Sequence, residues 1–92
     1  MLKSLVAERP KIGKWVLSPH ATTRMIERHI TTTELDHILH LPDWVIPQGP
    51  KWILAKHFKA REDNLIAAVV LQKGGAELWI VLTILVHFER KM

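Results

Sequence analysis

The 92-residue sequence contains no cysteine. That excludes a disulfide framework, a thiolate nucleophile and any zinc site built on sulfur, and it leads to the expectation of a cytoplasmic location. Glycine is scarce, with four residues, and none belongs to a loop that could cradle a phosphate; Gly74-Gly75 reads as hairpin chemistry. No Gly-x-Ser-x-Gly elbow occurs, so the frame of a Ser/His/Asp hydrolase is missing. Long hydrophobic runs are missing as well. The most apolar stretch, Leu78 to Val86, has 9 residues, whereas a membrane-spanning helix needs roughly 20. The first residues carry Lys3, Glu8 and Arg9 around a short apolar patch, without the apolar core of a secretory signal.

What is present describes one small domain over residues 1–92. Hydrophobic residues make up 48% and charged residues 24%, enough for a single core and too little chain for a second. Thirteen Lys and Arg against nine Asp and Glu leave a net charge of +4. With a pI near 9.8, the balance points to an anionic partner.

Helix signals fill the first half. Ser18-Pro19 supplies an N-cap followed by proline at the first helical position, where its missing N–H costs nothing, so a helix is expected from Pro19 to about Arg28. Thr31, Thr32 or Thr33 can cap a second helix, with Glu34 and Asp36 in its first turn, ending near Leu41 because Pro42 follows. After Pro42 the texture changes to short apolar runs separated by turns: Trp44–Ile46, Lys51–Phe58, Leu65–Leu71 and Leu78–Val86. The expected architecture is α+β, two N-terminal helices (about 18–41) on a four-stranded antiparallel sheet (about 44–87), with the last two strands central. Trp15-Val16-Leu17 is read only as a short extended lead-in.

One stretch concentrates chemistry. On a helix, His20, Arg24 and Arg28 fall at i, i+4 and i+8 and form one polar stripe. An imidazole moves protons near neutral pH, and guanidinium forks hold a phosphate and the charge that grows on it. The alternative is that Arg24 pairs with Glu27 and Arg28 faces solvent. In the second half, Lys51, Lys56, His57, Lys59 and Arg61 form the densest basic segment, able to track a phosphate backbone or to guard a sheet edge against aggregation. Trp52 lies among these cations and is the best candidate for stacking on a base, Trp15 and Trp44 being undecided, whereas Trp79 is assigned to the core. Strict alternation along the last strand places Trp79, Val81, Thr83, Leu85 and His87 on one face.

The pattern Ser18-x-His20-Ala21-x-x-Arg24-Met25-x-x-Arg28-x-Ile30, followed by a Thr/Glu-rich helix start and a terminal apolar strand containing Thr83, resembles a prokaryotic family of domains of unknown function. That family is grouped with the BrnT and RelE toxins, within the barnase, EndoU, colicin and RelE class of metal-independent ribonucleases. The resemblance spans roughly Val16 to Val86. It implies a RelE-like fold, a toxin-like endoribonuclease acting on RNA without cofactor or metal, and an antitoxin protein or a second copy as partner. Carried over by position, His20, Arg24, Arg28 and Thr83 are the expected catalytic residues. The basic segment, read from its composition and not from the resemblance, supplies Lys51, Trp52, Lys56, His57, Lys59 and Arg61 as the expected substrate-binding residues. Lys56, His57 or His87 is the expected second acid or base. His29 stands where the family commonly has Gly, which implies a slacker turn between the helices. The chain has no tyrosine, so a tyrosine-dependent version of the chemistry is excluded. The alternative function is a non-catalytic module that binds nucleic acid or protein.

Two rivals are weaker on chemical grounds. Glu34, His37 and His40 on the second helix offer one Glu-x-x-His, and a di-metal site needs a second copy. A helix-turn-helix reading fails because the second helix has no Arg, Lys, Asn or Gln to read base edges.

Overall fold

A computed structural model describes residues 12–75 and 77–86. The chain order is β1 (Lys14–Leu17), α1 (Pro19–Glu27), α2 (Thr32–His40), β2 (Trp44–Gln48), β3 (Lys51–His57), β4 (Ile66–Lys73) and β5 (Leu78–Val86).

Both helices start where their caps dictate. The Ser18 side chain accepts the Ala21 N–H at 3.0 Å and donates to the Leu82 carbonyl at 2.8 Å, so one hydroxyl both starts α1 and ties it to β5. Thr31 and Glu34 form a reciprocal capping box at the start of α2. Between the helices, His29 itself adopts a left-handed conformation, φ 57°, and the Ile30 N–H folds back onto the Met25 carbonyl at 3.0 Å. The turn is therefore tight, contrary to the expected slackness, because histidine tolerates this region better than most side chains.

The sheet departs from the expected four antiparallel strands. It has five, in the order β1-β5-β4-β3-β2, and β1 runs parallel to β5 while the other pairs are antiparallel. The helices are not N-terminal to the whole sheet; they follow its first strand. The physical reason is the alternation in Lys14-Trp15-Val16-Leu17, which lets Trp15 and Leu17 pack on the core while the backbone fills the open edge of β5. The second strand runs past the expected Trp44–Ile46 to take in Pro47 and Gln48, as an edge strand whose missing proline N–H breaks no ladder; the turn is Gly49-Pro50, with Gly49 at φ 60°.

Helix α1 packs on β5 and β1, and α2 on β3 and β4. Ala21, Ile30, Leu35, Ile38 and Leu39 from the helical half meet Val45, Leu54, Ala67, Val69, Leu71, Trp79, Val81 and Ile84 from the sheet. As expected, β4 is central, and its Ala67-Ala68-Val69 run is buried on both faces. Gly74 in the β4–β5 hairpin lies under Ile80: an added Cβ would come within 2.6 Å of its Cδ1.

A bulge corrects the phase of the last strand. Val70 pairs with Thr83 but Leu71 pairs with Val81, leaving Leu82 as the extra residue. Trp79, Val81, Ile84 and Val86 consequently share the helix-covered face, and Thr83 turns to the opposite one with its partner Val70. Among the described residues, no helix is long and apolar enough to cross a membrane.

Candidate functional site

His20 and Arg24 lie on α1 and Arg28 is its C-cap residue, and among the described residues no hydrogen bond or ion pair joins the three. His20 and Arg28 are exposed, and neither side chain has a hydrogen bond or ion pair among the described residues. Arg24 donates to Glu27 Oε1 at 3.0 Å in a surface pair. Thr83 lies on the sheet face away from the helices, so no contact brings it to the stripe.

A better-defined site stands at the end of β3. Asp43, Trp44, Lys56, His57 and Lys59 line an open cleft of about 470 Å³. Asp43 Oδ2 accepts the His57 backbone N–H at 2.7 Å, which fixes the carboxylate at the cleft wall. His57 Nε2 lies 2.7 Å from Asn64 Oδ1. A carboxamide oxygen only accepts, so the ring donates through Nε2, and in the neutral imidazole the lone pair is then on Nδ1. Lys56 reaches from β3 to the Leu41 carbonyl at 2.8 Å, satisfying an open acceptor at the end of α2. Lys59 is exposed at the cleft and has no partner among the described residues.

The other expected binding residues separate from this cleft. Lys51 is at the opposite end of β3, and Trp52 packs edge-to-face on Trp79, ring centroids 5.2 Å apart, as part of the core packing. The indole that borders the cleft is Trp44. Arg61 is committed within the chain: it bonds both oxygens of Asp63 at 2.9–3.0 Å, Glu34 Oε1 at 3.0 Å and the His29 carbonyl at 3.4 Å. The hydrogen bond to Asp63 first, and the charge of Glu34 after it, hold its pKa above the usual arginine value against some desolvation. His87 lies outside the described residues. His40 bonds the Ile12 carbonyl at 3.1 Å and Asp36 at 3.0 Å. Among the described residues, no three His, Asp or Glu side chains converge as a metal site.

Two residues of the site, Asp43 and Asn64, carry no functional signal in the sequence. Asp43 sits directly before β2, and Asn64, at φ 51°, lies in the β3–β4 loop two residues before β4. Asn in the polar link between two strands is a recognisable left-handed position, but nothing local ties it to an imidazole seven residues back.

The region holding the α1 stripe, the cleft and the sheet is also the region that matches a known family model: residues 17–86 match a domain of unknown function, DUF4258. The chain belongs to the DUF4258 family. No curated protein and no solved structure matches it significantly. The match takes in all of this DUF4258 domain except β1 up to Val16 and the flanking residues.

Proposed function

We propose that this DUF4258 domain binds RNA and cleaves it by metal-independent acid–base catalysis, as a toxin-like endoribonuclease. The observation that carries the reading is the cleft in which an imidazole, already hydrogen-bonded on one nitrogen, faces Lys56, Lys59 and the indole of Trp44. Each part has a use. His57 takes the proton of a ribose 2′-hydroxyl, the 2′-oxygen bonds phosphorus, the phosphorus–O5′ bond breaks, and the leaving oxygen is protonated from solvent in the open cleft. Lys59 offsets the charge on the phosphate, and Trp44 stacks on an unpaired base. His20, Arg24 and Arg28 hold phosphates of the strand outside the cleft. Thr83, on the other face of the sheet, has no part in it.

The choice of RNA as substrate, of an antitoxin protein or a second copy as partner, and of a cytoplasmic setting rests on the resemblance of the Ser18-to-Ile30 motif to a family grouped with BrnT and RelE-type toxins. A non-catalytic binding module is the second reading, favoured by the in-chain use of Arg24 on Glu27 and of Lys56 on Leu41. Incubating RNA with the protein in excess chelator separates the two. Cleavage leaving a 2′,3′-cyclic phosphate, lost in His57→Ala, supports the enzyme; binding without cleavage by the wild type leaves the module.

A further inference from the structure

We propose that Asn64 is a positioning residue that fixes His57 in one tautomer, protonated at Nε2, so that Nδ1 is the proton acceptor offered to the cleft. The inference deepens the ribonuclease reading and rests on it only for the final step. A histidine in water exchanges between two neutral tautomers, and a general base is useful only in the one whose lone pair faces the substrate. Here the 2.7 Å contact from Nε2 to Asn64 Oδ1 selects Nε2–H, and Nδ1 has no partner among the described residues. The backbone of the same residue is held through its N–H by Asp43, so both ends of His57 are fixed by groups from other elements.

Asn64 is itself well fixed. Its left-handed backbone, φ 51°, suits asparagine. Its N–H donates to the Arg61 carbonyl at 3.0 Å, and the Phe58 N–H donates to the Leu65 carbonyl at 2.8 Å, closing the loop between β3 and β4. Arg61 then clamps that loop to the α1–α2 turn through His29 and Glu34. Arg61, expected from the sequence to bind substrate, is thereby placed in the support of the site.

The test uses variants that keep the backbone unstrained. Asn64→Gly removes the carboxamide yet accepts a positive φ, and Asn64→Asp keeps an acceptor oxygen at the same place. Nitrogen-15 spectra of the His57 ring in the intact protein, with no RNA present, are expected to show Nε2–H in the wild type, a mixture of tautomers in Asn64→Gly, and Nε2–H restored in Asn64→Asp. On RNA, Asn64→Gly should lower kcat roughly 10- to 100-fold with KM nearly unchanged, as for a misplaced catalytic group. A wild-type ring protonated at Nδ1, or a tautomer unchanged in Asn64→Gly, overturns the proposal. A domain that cleaves no RNA but shows the expected tautomer series keeps Asn64 in this role and removes only the ribonuclease reading.

Discussion

The α1 stripe and the β3-end cleft contain the same ingredients, an imidazole beside cationic side chains, yet they are held in different ways. Helical spacing puts His20 and Arg24 on one line with Arg28 at the C-cap, and there their order ends: among the described residues two of the three have no partner and the third is tied to its own neighbour Glu27. At the cleft, His57 meets Asp43 from before β2 and Asn64 from the loop before β4. Periodicity places side chains on a common face; only a returning chain constrains the ring and selects its protonated nitrogen. Preorganisation of that kind is what acid–base catalysis requires.

The comparison can be broken most directly by removing each imidazole in turn. His57→Ala is expected to lower RNA cleavage by roughly 10²- to 10⁴-fold, the usual worth of a general base, and His20→Ala by less than about tenfold, the loss of a backbone contact. Rates on one RNA in chelator decide it, and the reverse ranking moves the chemistry to α1.

A second expectation concerns what holds the stripe in place. Ser18→Ala removes both the cap of α1 and its bond to Leu82, at an expected cost of about 1–2 kcal/mol in chemical denaturation. His57-dependent cleavage by the folded fraction should stay within about twofold. A collapse of cleavage in protein that remains folded would show that the two regions act as one site.

The ion pairs sharpen the contrast further. Arg61→Met should destabilise by about 1 kcal/mol, because its partners Glu34 and Asp63 are left facing an apolar end, whereas Arg24→Met should cost less than about 0.5 kcal/mol, as exposed pairs do. Since the Arg61 pKa is raised, its contribution is complete below the ordinary arginine range and is lost only as pH rises through the raised value. The stability gap between wild type and Arg61→Met should therefore be flat from about pH 6 to 9. A gap that closes within this window contradicts the assignment.

The smallest effect is electrostatic. Lys59→Gln should weaken RNA binding uniformly across sequences and reduce the slope of log K against log salt by about 0.7, one phosphate contact to a single strand. An unchanged slope removes Lys59 from the phosphate path.

Much of the local structure was legible, because it is set by local chemistry. Ser18-Pro19 starts α1, Thr31 with Glu34 starts α2, and the apolar runs 51–58 and 78–86 are β3 and β5 within one residue. The errors share a cause: each depends on a partner remote in sequence. Four residues of β1 are too few to show a period, and their place is decided by the vacant edge of β5. The Leu82 bulge changes the face of Thr83 through pairing with β4, which alternation within β5 cannot reveal. Likewise, basic residues read as one patch were divided by the fold: Lys59 to the cleft, Arg61 to a clamp, Lys51 to the far end of the strand.

The parallel pairing of β1 with β5 also bears on how the domain is made. Ser18 and Leu82 are 64 residues apart, and the strand that receives both β1 and α1 is the last of the described strands to leave the ribosome. At bacterial to eukaryotic synthesis speeds, that interval is about 3 to 13 s, during which Trp15, Leu17 and the inner side of α1 have no native strand to cover them. A nascent chain arrested before Leu78 should thus expose apolar surface to chaperones or to its neighbours on a polysome, and release of β5 should end that exposure in a single late step.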